Sequence, residues 1–84
     1  MRHFASRLQV DKTYLNFYFN GIFTADGIRY HVSVIDKDRK THIFHLVRNE
    51  KRWTLAGGEN CPDWIVKMEG TLNDEIQKHV KGSI

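Results

Sequence analysis

One cysteine, one proline and no long apolar run occur in this chain of 84 residues. With Cys61 as the sole thiol, no internal disulfide can form, and a scaffold held by bridges is excluded. A lone thiol suits a reducing compartment. Met1 is followed by Arg2, His3 and Phe4 without a sustained apolar stretch, so no secretory leader is expected. No run approaches the length of a membrane span. The expectation is a cytoplasmic protein without a membrane partner. Repeats, low-complexity segments and Pro/Ser-rich linkers are missing too. So are the G-x-S-x-G, H-E-x-x-H and Cys-x-x-Cys signatures, and no catalytic residue, metal site or cofactor is expected.

What is present is enough for a single domain over residues 1–84. A chain of this size buries only about 60% of its unfolded surface, so its stability is marginal. Charge is unevenly placed. Residues 1–58 carry ten Lys or Arg against five Asp or Glu, and residues 59–84 carry three against five. A basic first part and an acidic last part fit an anionic partner on one side. They fit better a basic sheet and an acidic helix that attract each other.

Aromatic and β-branched residues recur at period two through residues 3–56, the pattern of half-buried strands. Phe4, Ser6, Leu8 and Val10 alternate with His3, Ala5, Arg7 and Gln9 in a weak first strand. A long second strand runs from about Thr13 to Thr24, and Asp26-Gly27 signals a hairpin. Ile28 to Ile35 form the third, and Thr41 to Asn49 follow the charged turn Asp36-Lys37-Asp38-Arg39-Lys40. A short strand around Trp53-Thr54-Leu55 ends at Gly57-Gly58. Asn20-Gly21 is itself a hairpin signature, but a turn there leaves too short a strand, so a bulge or close backbone approach at Gly21 is expected.

The period changes after Gly58. Pro62 and Asp63 suit a helix start. Ile65, Met68, Leu72, Ile76 and Val80 then form one apolar stripe at helical spacing. The helix is expected within 62–81, kinked or broken near Gly70. The fold class is thus α+β: an antiparallel β-meander of four to five strands with one C-terminal amphipathic helix packed on one face.

One helix covers one face only. Leu15, Phe17, Phe19, Phe23, Tyr30, Val32, Val34, Phe44 and Leu46 are expected to meet it. The uncovered face then holds Tyr14, Asn16, Tyr18, Asn20, Arg29, His31, His45 and Val47, with Ser33 and the apolar Ile22, Ile35 and Ile43. That face is the candidate binding surface, with Lys37, Arg39, Lys40, Arg48, Lys51 and Arg52 around its edges. Its apolar residues and tyrosines fit a homodimer or another protein interface, the first expectation for a non-enzymatic module. Tyr14 and Tyr18, about 13 Å apart along the strand, also fit stacking of single-stranded DNA or RNA bases, with the basic residues contacting phosphate, which is the second expectation. In layout alone, four strands followed by a helix resemble the Pur-repeat modules, and that resemblance implies single-strand binding.

Other constellations are weaker. His42 and His45 fall on opposite faces of a strand and cannot chelate together. His31 and His45 share the uncovered face as cross-strand neighbours, two ligands where zinc needs more. Cys61 precedes the helix start, but Glu59 and Asp63 oppose a thiolate there. Gly57-Gly58 lacks the further residues of a phosphate loop.

Overall fold

The computed structural model describes residues 3–82. Five strands form first: β1 (His3–Val10), β2 (Thr13–Thr24), β3 (Gly27–Ile35), β4 (Thr41–Asn49) and β5 (Arg52–Ala56). They pair in sequence order as one antiparallel meander curled into a half-barrel. A 3₁₀ turn (Gly58–Asn60) leads to α1 (Asp63–Val66) and α2 (Glu69–Gly82). The expected helix is therefore two helices, broken at Lys67-Met68 just before Gly70.

Turn chemistry sets the registers. Two-residue loops close the β1–β2 hairpin at Val10–Thr13 and the β4–β5 hairpin at Asn49–Arg52. Asp11 and Glu50 in those loops take left-handed φ values of 55° and 59°. Gly27 follows the Ala25-Asp26 loop at φ 121°, a conformation side chains resist. The expected bulge at Gly21 is not there. The β2–β3 register advances without offset from Phe17–Val34 through Gly21–Tyr30 to Thr24–Gly27, so Gly21 is an ordinary paired residue.

The alternation sends one set of side chains to the helices. Phe17, Phe19, Tyr30, Val32, Val34, Phe44, Leu46 and Trp53 are buried against Ile65, Met68, Leu72 and Ile76. Leu15 is only partly buried. Phe23 departs from expectation: it is 75% exposed. It has the correct parity, but its pair with Ile28 lies next to the β2–β3 turn, beyond the last buried rank at Tyr30 and Leu46. The side chain of Val80, the last member of the expected stripe, lies outside the described residues.

Polar side chains flank the apolar stripe of α2. Glu69, Asn73 and Gln77 recur at i, i+4 and i+8, one ridge of a helix. Leu55 N–H donates to Glu69 Oε2 at 2.8 Å, and Trp53 N–H to Asn73 Oδ1 at 2.8 Å. Gln77 Nε2 donates to the Lys51 carbonyl at 2.7 Å. These bonds satisfy two outward N–H groups of β5 and a carbonyl of the turn before it, on what would otherwise be a bare sheet edge. From the other side of the stripe, Glu75 accepts from Ser6 Oγ at 2.8 Å, and His79 stacks on Phe4 with ring centroids 3.9 Å apart.

Asn73→Ala is expected to destabilise the fold by about 1–3 kcal/mol, because it leaves the buried Trp53 N–H without a partner. Urea denaturation measures this, with Asp74→Ala, exposed on the same helix, expected to change stability little.

Candidate nucleic-acid interface

No strand contains an Asp or Glu. The carboxylates of the first part, Asp11, Asp26, Asp36, Asp38 and Glu50, all sit in the loops between strands. Register then decides where the cations go. Arg7, Arg29 and Arg52 project from the face away from the helices, together with His3, His31 and His45. Arg48 has the opposite parity and lies over the Trp53 ring at 5.9 Å. The cations that the strands place on the uncovered face therefore meet no carboxylate among its strand residues.

Its cross-strand ranks are simple. One rank reads Ala5–Tyr18–Ser33–Ile43, and the next reads His3–Asn20–His31–His45–Ala56. A third holds Ile22, Arg29, Val47 and Thr54. Tyr18 is 52% exposed and stands between two small neighbours, Ala5 and Ser33, which leave the sides of its ring clear. Beside it a shallow hollow of about 530 Å³ is bounded by Ala5, Asn20, His31, Ser33 and Ile43. Tyr14 is equally exposed, but the Arg7 guanidinium lies 5.5 Å from its ring centroid.

Within the histidine rank, His3 Nδ1 lies 2.6 Å from Asn20 Oδ1, where an Nδ1–H would donate to that oxygen. His31 and His45 stack with centroids 5.4 Å apart. Burial, then the charges of His31 and Arg29, hold His45 below the ordinary histidine value. Among the described residues no cluster of three or more His, Cys, Asp or Glu could hold a metal ion.

The expected binding residues thus fall into two groups. Tyr14, Asn16, Tyr18, Asn20, Arg29, His31, His45 and Val47 share the open face. Lys37, Arg39 and Lys40 are in the β3–β4 loop at one end of the sheet, and Lys37 borders a hollow beside Trp64 on the helix side. Arg7 and His3 belong to the face and were not among the expected residues, and Arg52, expected at its edge, belongs to the face itself. The alternation of β1 and β5 carried that signal, once their registers were known.

His42 turns to the helix side, edge-on to Trp64, and its Nε2 lies 2.8 Å from Asp36 Oδ2. That bond, with the backbone N–H of Lys40 and of Asp38, holds the Asp36 carboxyl below its usual range. Asp36 Oδ1 accepts those two N–H groups, so the carboxylate organises the turn. Ser6, Glu75 and His79 have the composition of a hydrolytic triad in the wrong order. Glu75 lies between the other two, whereas the imidazole must. Cys61 Sγ rests 3.9 Å from the Gly57 carbonyl.

Protein-family models, curated proteins and solved structures give no match to this chain.

The sign of the His45 effect follows from its lowered value. The folded state disfavours the charged ring, so this contribution is intact above the ordinary value of about 6.5 and is lost as pH falls through the folded value. The thermal midpoint should fall on mild acidification below about pH 6.5, and fall less in His45→Gln. Scanning calorimetry across that range checks it, and identical profiles for the two proteins would contradict it.

Proposed function

We propose that the protein is a non-enzymatic binding module whose open sheet face takes single-stranded DNA or RNA. The observation that carries this reading is the segregation of charge. Every ionisable side chain that the strands place on the face is an arginine, a histidine or a tyrosine. An extended anionic strand meets no like charge there, and low net charge overall does not weaken a patch this local. Tyr18 supplies an exposed aromatic platform, as sequence-tolerant stacking requires. The hollow beside it leaves a base room to lie against the ring, with Asn20, Ser33 and His31 at its rim to meet polar base edges. Arg7, Arg29 and Arg52 lie on different strands, so a backbone crossing the sheet passes from one to the next.

A second copy packed face to face is the other reading, and two exposures favour it. Ile43 is 74% exposed and Ile35 53%, both near Tyr18. Burying them would help a small sheet. Such a dimer also gathers the arginines of both copies in an interface to which the strands contribute no carboxylate, and for that reason it stands second.

Fluorescence anisotropy with short labelled oligothymidine and oligouridine tests the first reading. Binding should weaken steadily with salt, and Arg29→Ala should reduce the slope of log K against log salt by about 0.7. Tyr18→Ala should weaken binding by about 5-fold to 150-fold, the equivalent of one stacked base. No change in anisotropy at low salt would end this reading. Self-association lost in Ile43→Asp would then support the second.

A further inference from the structure

The two edges of the sheet are treated differently. Along the β5 edge, the N–H groups of Leu55 and Trp53 and the carbonyl of Lys51 in the preceding turn point outward, and α2 side chains take all three. Peptide groups of an antiparallel strand alternate in direction, so this one edge orients every strand. Arg52, Thr54 and Ala56 face β4, and the alternation carried across the registers makes the even residues of β1 face β2. Val10–Thr13 is then a hydrogen-bonded pair, as a two-residue hairpin loop requires. The odd residues of β1 therefore direct their N–H and C=O groups away from the sheet. No described residue bonds these outward groups of Ala5 and Arg7. The strand has no proline and no bulge, and Arg7 is its only Lys or Arg. Edges left alone are normally blunted by such devices.

We propose that β1 pairs antiparallel with β1 of a second copy across a two-fold axis at Ser6. The two five-stranded sheets then join into one. The identity of the occupant follows from the self-complementarity of the strand. Centred on Ser6, Ala5 faces Arg7 of the second copy and forms hydrogen-bonded pairs on both sides of the axis. Phe4 faces Leu8 of the second copy on the helix side, an apolar cross-strand pair. Shifting the axis to Arg7 opposes two arginines, and shifting it to Ala5 opposes His3 to Arg7. Axes at Phe4 or Leu8 avoid both but shorten the paired segment, so the Ser6 register keeps the longest pairing without these oppositions. Joined in this way, the two open faces become one continuous basic surface, with Arg7 of each copy near its centre. The pairing uses backbone groups of the edge and leaves the face exposed, so it stands or fails independently of nucleic-acid binding.

Sedimentation velocity over a wide micromolar range, with Ala5→Pro as the variant, tests the proposal. No described residue of the same copy bonds the Ala5 N–H, so proline there removes a donor from the pairing. The wild-type chain should show a monomer–dimer equilibrium, and Ala5→Pro should lose the dimer while keeping its amide spectrum. Ser6→Cys in a Cys61→Ser background should form a disulfide-linked dimer on mild oxidation, because directly opposed non-hydrogen-bonded residues lie about 4.5 Å apart at Cα. Ile43→Cys in that background should not. If Ala5→Pro fails to fold, the cysteine pair decides alone. A chain that stays monomeric throughout, a dimer that survives Ala5→Pro, or crosslinking through Ile43→Cys overturns the proposal. An extended segment of another protein on this edge would give the first of these results.

Discussion

Three hydrogen bonds from α2 to β5 and the turn before it determine what the rest of the molecule leaves available. A helix held only by Met68, Leu72 and Ile76 could slide over an apolar sheet surface. Glu69, Asn73 and Gln77 prevent this, because each meets a particular backbone group of β5 or of the turn before it. The helix is fixed along that edge, with its apolar stripe over the buried face and Glu75 reaching Ser6 on β1. One face is covered and one edge is sealed. The other face and the other edge remain, and both proposals concern them.

Charge follows the same division. Carboxylates occupy the loops and the helical segment, while the strands carry only arginines and histidines among their charged and titratable side chains, apart from tyrosine. Asp36 shows why a loop keeps its acid: the carboxylate holds two backbone N–H groups and His42 and so organises its turn. Glu69 shows the same for the helix, where its oxygen seals the β5 edge. With the acids committed to loops and helix, the strands place no carboxylate on the uncovered face, and partial burial, then the neighbouring charges of His31 and Arg29, lowers His45.

Much of this was legible in the residues. Period-two alternation marks five strands, and parity alone separates His42 from His45 and joins His31 to His45. The glycine in the helical segment marks a break close to where the chain turns at Lys67-Met68. Other features depend on distance in space. Asn20-Gly21 has the composition of a turn, yet unbroken pairing with β3 keeps Gly21 in an uninterrupted strand. Phe23 has core parity, and its exposure depends on where the covered part of the sheet ends. Arg7 and Arg52 join the candidate face only through the registers of the two edge strands. Lys37, Arg39 and Lys40 are close to the sheet in sequence but lie past its end, in a loop that strand alternation does not govern. The β5 cap combines a helical spacing with a strand spacing, and neither segment shows it by itself.

The central claim is that the open face, and not the helical side, meets a single-stranded nucleic acid. Amide chemical-shift mapping with a short oligonucleotide tests it most directly. Shifts should concentrate at Tyr18, Asn20, Arg29, His31, Ser33 and His45 and leave Leu72, Asn73 and Ile76 unchanged. A spectrum unmoved by the oligonucleotide, or shifts centred on α2, would contradict it.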